Sequence, residues 1–292
     1  MAALLLCLPQ AGQARVSIVD DLGRHVELAA PATRLVALYG GMNEILAGLG
    51  LTDRIVARTE ADHEPPVIEN LPVIGTHMRP NLERVLAVHP DLILQLAGRD
   101  ASLQAVDQLA ALGIPVAVFA IHDFPSLFAA ITRIGQLTGQ PGAARTLIAG
   151  LQKRLDAVAA VVAKRPGPQP TVLFEVRSGN LLAAGRSSIV TAIIDAAGGQ
   201  NAVRQDKKLV RLTDEALLRL APAVCLTQRG PMNPEARPMD ERQEYAGLPC
   251  VKDKRTFVVD EALFSRPGPR SVTAVETLAR WLAPVNATGA TQ

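Results

Sequence analysis

The sequence is poor in aromatic rings, in histidine and in net charge, and each shortage removes a class of function. Six Phe, two Tyr and one Trp in 292 residues are too few for a platform on which bases stack. A net charge of +2, without a run of Lys or Arg, offers no groove that would track a phosphate backbone, so no nucleic acid partner is expected. The five histidines His25, His63, His77, His89 and His122 show no HxH or HExxH spacing, and the cysteines are not closely paired, so a preformed catalytic metal centre has no motif. Ser187-Ser188 lacks the flanking glycines of a nucleophile elbow, and a Gly-rich dinucleotide fingerprint is missing. After the N-terminus no apolar stretch reaches the ~20 residues that span a bilayer.

What is present is a chain of 292 residues with 48% apolar content, enough for a soluble globular protein with two domains of ordinary size. Residues 1–14, ending AALLLCLPQAGQA, read as a secretory signal with small residues Gly12 and Ala14 before the expected cut. Cys7 follows Leu4-Leu5-Leu6 rather than small residues, which argues against a lipid anchor there. Export leaves Cys225 and Cys250 in a compartment that permits disulfides; the sequence leaves open a bridge or two separate buried thiols.

A repeat is the strongest internal signal. The stretch from Leu82 to Gln95, LERVLAVHPDLILQ, returns from Asp214 to Gln228 as DEALLRLAPAVCLTQ, keeping Glu, two residues, Leu, three residues, Pro, three residues, Leu. Each copy predicts a short amphipathic helix opening on an acid, closed before a proline that leads into a buried strand. Two copies imply two similar lobes with a cleft between them, and a cleft is where a ligand binds.

Strands and helices alternate around that repeat. A hairpin is expected over 17–27. Strands are expected at 34–38, 54–57, 73–74, 92–96 and 116–119, with helices at 43–49, 81–88 and 102–112 between them. That alternation predicts an α/β fold with mainly parallel sheets. Residues 15–140 form the first expected lobe. From Pro141 to Arg165 the apolar positions keep helical spacing over ~35 Å, the length of a rigid strut between lobes. A Pro-rich link begins the second lobe, 166–284, and 285–292 remain as a tail. The second lobe's expected elements are strands at 171–176 and 256–259, helices at 188–197 and 272–282, and the repeat unit.

Taken in this order, several short elements resemble the substrate-binding proteins of ABC importers for iron-siderophores, haem and cobalamin. They are Asp21-Leu22-Gly23-Arg24, Leu49-Gly50, Asn81-Leu82-Glu83 with Pro90-Asp91, Leu112-Gly113-Ile114-Pro115, Leu137-Thr138-Gly139, Ala197-Gly198-Gly199-Gln200-Asn201 and Pro267-Gly268-Pro269-Arg270. The first lobe is most similar to the cobalamin-binding member, and Gly75-Thr76-His77-Met78-Arg79 sits where haem-binding members carry a Tyr-containing loop. The resemblance implies a periplasmic monomer, two lobes on one long helix, no cofactor beyond the carried metal chelate, and a dimeric permease in the inner membrane as partner. It also implies that Glu83 and Glu215, one per lobe, dock into basic pockets of that permease; charge-assisted bonds suit the task, though each acid also simply favours its helix N-terminus.

Ligands in open α/β sheets collect beyond the carboxyl ends of strands. In the first lobe that rule selects Tyr39, His77, Met78, Arg79, Leu96 and Arg99, and in the second Arg177, Arg229, Phe264 and Arg266. Tyr39 either meets a ligand beside Gly40 and Gly41 or caps the sheet. His77 and Met78 are of the residue types that ligate haem or corrin metals, and the arginines suit propionate, carboxylate or catecholate groups. Two rival readings stay open at this stage. One is a chelatase-like enzyme acting on tetrapyrroles. The other is a receptor for bare zinc or manganese, for which His63 beside Asp62 and Glu64 is the one local cluster, expected instead as a solvated acidic turn.

Overall fold

The computed structural model describes residues 15–98 and 100–283, with backbone only at 100–102. The expected signal segment with Cys7, the candidate Arg99 and the tail 285–292 lie outside the described residues.

The first lobe opens with the antiparallel hairpin β1 (Val16–Val19) and β2 (His25–Leu28). The Asp20 carboxylate accepts hydrogen bonds from the backbone of Leu22, Arg24 and Val118 and from the Arg24 guanidinium, which fastens the hairpin to the sheet edge. Then follow β3 (Leu35–Ala37), α1 (Gly40–Gly48), β4 (Ile55–Ala57), the two-residue strands β5 (Gly75–Thr76) and β6 (Arg79–Pro80), α2 (Leu82–Ala87), β7 (Leu92–Leu96), α3 (Asp100–Ala111), β8 (Val116–Phe119) and α4 (Phe124–Leu137). The main sheet is wholly parallel in the order β4-β3-β7-β8. Along β7, Leu92, Leu94 and Leu96 enter one apolar cluster and Ile93 the other, the two-residue alternation of a strand covered on both faces. The expected strand at 73–74 is a single bridge from Val73 to Arg58.

The long helix α5 (Pro141–Val162) joins the lobes and stops before the expected Arg165, its C-cap being Ala163. It packs against α4 on one side and α10 (Ser271–Leu282) on the other. Only Ala144 and Leu151 of α5 are fully buried, so the helix is a strut laid across the lobes rather than an element of either interior.

The second lobe comprises β9 (Thr171–Arg177), β10 (Leu182–Ala184), α6 (Ile189–Ala196), β11 (Gln200–Asn201), β12 (Leu209–Arg211), α7 (Asp214–Leu220), β13 (Val224–Arg229), α8 (Pro249–Lys252), β14 (Thr256–Asp260), α9 (Glu261–Phe264) and α10. Its strand order is β12-β10-β9-β13-β14 with β11 also beside β9; β9, β11, β13 and β14 pair in parallel, and β10 pairs antiparallel with β9 on one side and β12 on the other. A disulfide joins Cys225 of β13 to Cys250 of α8 within this lobe.

The repeat is visible as geometry. Asn81 and Thr213 cap α2 and α7 in the same way, each side chain accepting from the backbone N–H three residues on. Val85 and Leu217 are the matching buried residues. Each helix then ends on a non-glycine residue in the left-handed region immediately before proline, His89 at φ 46° and Ala221 at φ 42°. The chain enters a central strand, β7 or β13, in both lobes.

Candidate functional site

The carboxyl ends of β3 and β7 in the first lobe face the segment after β14 in the second. Tyr39 follows β3 and caps α1 from an extended conformation, half-buried, so its ring is held at the junction of the lobes. His77 and Met78 form the tip between β5 and β6. Gln95, buried near the end of β7, donates through Nε2 to the His77 carbonyl at 3.0 Å, and its own amide oxygen accepts from the Leu96 N–H. That bond holds the tip against the sheet, and His77 meets Tyr39 edge to face with ring centroids 5.7 Å apart.

From the second lobe, Pro267-Gly268 closes directly onto α1. A Cβ on Gly41 would lie 2.0 Å from the Pro267 carbonyl oxygen, and one on Gly40 would lie 2.6 Å from the Asp62 carboxylate and 3.0 Å from an Arg266 nitrogen. The two glycines therefore admit the opposite lobe to the backbone, where the sequence suggested an approaching ligand. Two ion pairs flank the contact: Arg270 with Glu44 at 2.9 Å and Arg266 with Asp62 at 3.7 Å. Arg266 also donates to the Ala61 carbonyl at 3.3 Å.

Burial dominates the electrostatics. The Tyr39 phenol is pushed well above its ordinary range by desolvation, with Glu261, Asp62 and Glu44 adding to the rise and Arg266 opposing it, so it is a neutral hydrogen-bonding group at physiological pH. Glu44 and Asp62 are likewise raised by burial, against the pull of Arg270 on the first, and of the Thr59 hydroxyl and Arg266 on the second. Asp62 accepts from Thr59 at 2.8 Å and is buried, which corrects the expectation of a solvated acidic turn. His63 turns away to Glu69, and Glu64 lies toward Arg270, so the cluster proposed for zinc or manganese does not converge. Among the described residues no group of three or more His, Cys, Asp or Glu could hold a metal ion.

Of the residues selected from the sequence, Tyr39, His77 and Arg266 share this junction. Met78 stands beside His77, half-buried, and Arg79 is exposed in β6. Arg177 and Arg229 end β9 and β13, which pair in parallel up to Glu175 and Thr227, so continued register sets the two arginines side by side. Phe264 is a correction: at 2% exposure it stacks between Phe174 and Trp281 in the core of the second lobe. With Phe257 also stacked on Trp281, these rings account for much of the small aromatic supply. Leu96 is a second correction, buried in the core cluster because the last residue of β7 still points between layers. Glu44 carries no sequence signal, Asp62 is read from sequence only as part of the metal cluster, and the Pro-Gly-Pro-Arg segment that holds Arg270 shows a turn but not its partners.

Glu83 and Glu215 lie away from this junction, exposed in the first turns of α2 and α7. Glu215 is held below the usual carboxylate range by its own backbone N–H and the Thr213 hydroxyl, so it is ionised at neutral pH.

Two α/β lobes joined by one long helix, with polar and cationic side chains gathered where the strand ends meet, have the architecture of a two-lobed binding protein. The chain belongs to the periplasmic binding protein family, whose model matches residues 35–263. It is similar to the uncharacterized ABC transporter substrate-binding lipoprotein YvrC of Bacillus subtilis (strain 168), 28% identical over 275 residues, covering 92% of this chain and 86% of that one. The cobalamin-binding protein of Halobacterium salinarum (strain ATCC 29341 / DSM 671 / R1) is 27% identical over 214 residues, 71% of this chain, and the match spans 57% of that longer protein. Among solved structures, the periplasmic heme-binding protein BhuT in complex with two hemes aligns with a TM-score of 0.75 at 27% identity, covering 85% of this chain and 97% of that one. Members of this family carry ligands and do not transform them, which sets aside the reading as a tetrapyrrole enzyme.

Proposed function

We propose that this protein is the periplasmic substrate-binding component of an ABC importer that captures a metal chelate, a ferric siderophore, haem or a corrinoid, and hands it unaltered to a dimeric inner-membrane permease. The observation that carries the reading is the pairing of Tyr39 and His77 at 5.7 Å beside Arg266 of the opposite lobe. A neutral phenol and an imidazole, both able to face a metal or its chelating groups, stand there next to a cation suited to carboxylate or catecholate oxygens. Arg177 and Arg229 add positive charge at neighbouring strand ends. Relatives named for cobalamin and for heme support a chelate of this kind. Affinity comes from enclosing the chelate between lobes, and the arginines orient it.

Delivery is assigned to Glu83 and Glu215, one acid on each lobe, reaching two basic pockets of the permease. The chelate is tested by titrating the exported chain, residues 15–292, with hemin, cyanocobalamin and a ferric tris-catecholate while following visible absorption. One of the three is expected to bind, with a loss of tenfold or more in Tyr39→Ala and Arg266→Ala. Binding of none of them would overturn the reading. The Glu83→Ala, Glu215→Ala double variant is expected to retain chelate affinity and lose uptake.

A further inference from the structure

Each docking acid has an apolar companion. Leu86 and Leu218 follow Glu83 and Glu215 by three residues, and both are exposed, at 39% and 46%. Residues three apart on a helix are surface neighbours, so acid and leucine form one patch on each lobe. Val85 and Leu217, the residues between, are fully buried and fix which face of each helix points outward. Among the described residues, several other large apolar side chains are exposed, such as Val67 and Leu112, but only Leu86 and Leu218 occupy matching positions of the repeat. Scattered surface leucines need no explanation, whereas the same exposed leucine beside the same exposed acid in both halves does.

We infer that Leu86 and Leu218 are apolar anchors for the permease, so that each lobe docks through a Glu-and-Leu pair rather than through its acid alone. The partner this surface fits has two equivalent sockets, each with a cation and an adjoining apolar wall. A second copy of this chain would set acid against acid, and an anionic lipid surface would repel both patches. The two-fold permease is the partner whose symmetry matches a duplicated patch. The inference rests on the docking role proposed above for Glu83 and Glu215. Equivalent caps on α2 and α7, each accepting from the backbone N–H three residues on, and the matched left-handed residues after them present both patches in similar local geometry.

The experiment measures binding of the exported chain to the host's permease complex in lipid nanodiscs, at low and high salt. Its variants are Leu86→Ser with Leu218→Ser, Glu83→Gln with Glu215→Gln, and Leu112→Ser as an exposed control. Thermal melts confirm that each is folded. The leucine pair is expected to weaken binding at least tenfold at both salt concentrations, the glutamate pair mainly at low salt, and the control by less than twofold. If the glutamate pair weakens binding and the leucine pair stays within twofold of native, the anchors are refuted and acid docking stands. If neither pair weakens binding, acid docking falls with them.

Discussion

The Arg270 guanidinium lies 2.9 Å from the Glu44 carboxylate, and this bond ties the loop before α10 in the second lobe to α1 in the first. Arg266 and Asp62 make a looser version of the same link. Both acids are more buried than their partners, so the junction holds carboxylates that burial disfavours.

Asp62 makes that junction pH-sensitive. A carboxyl raised in the folded state contributes stability that is complete below its unfolded value, near pH 4, and is lost as pH rises through the folded value. Asp62→Asn removes this dependence. The variant is therefore expected to gain stability relative to the native protein as pH rises from about 4 toward 8. Urea midpoints at the two ends of that range check it, and a difference that stays constant with pH would contradict it.

Two glycines separate lobe contact from helix propensity. Gly41→Ala meets the Pro267 carbonyl and is expected to push the lobes apart, lowering both melting temperature and chelate affinity. Gly150→Ala, in the middle of α5 with nothing within 4 Å of its added Cβ, is expected to stabilise by about 1 kcal/mol and leave affinity unchanged. Calorimetric titration alongside thermal melts compares them; a Gly41→Ala protein with native affinity would mean that the close contact does not shape the cleft.

The left-handed residue after α7 carries strain that glycine relieves. Ala221→Gly is expected to raise stability by roughly 0.5–1 kcal/mol, since an L residue at positive φ costs about 1–2 kcal/mol and glycine returns part of that as chain entropy. Guanidinium unfolding measures it. A loss of stability would show that the Ala221 methyl packs usefully.

The Cys225–Cys250 bridge closes a separation of 25 residues inside the second lobe. Its reduction is expected to cost about 3 kcal/mol, chiefly by freeing the unfolded chain. Because the bridge lies in the apolar cluster beneath α7 and not at the lobe junction, chelate affinity at low denaturant is expected to be the same with and without dithiothreitol. A shift in affinity on reduction would place the bridge in the binding mechanism.

The architecture was readable where local chemistry repeats. Buried strands such as Leu92–Leu96 and Val116–Phe119 announce themselves by mainly apolar runs, and the α2 and α7 helices by acid, leucine and proline at fixed distances. Helix α4 went unrecognised although Asp123 and Ser126 form a capping box and Phe124, Leu127, Ile131 and Ile134 keep helical spacing. Its signal was local and available. The lobe junction was not, because Glu44 and Arg270 are distant in sequence and each alone looks like a solvated charge. Phe264 was misplaced for a related reason: a residue just beyond a strand end can turn inward as easily as toward a ligand, and the stacking on Trp281 that decides it is tertiary.

The seam along α5 makes the halves inseparable. Helices α4 and α10 each need that strut to cover an apolar side, and one continuous set of buried side chains runs through both lobes. Severed at the Pro-rich link, either piece would display a greasy flank to water. Likeness between the halves survives in their folding patterns, but their independence does not, and one shared melting transition is expected.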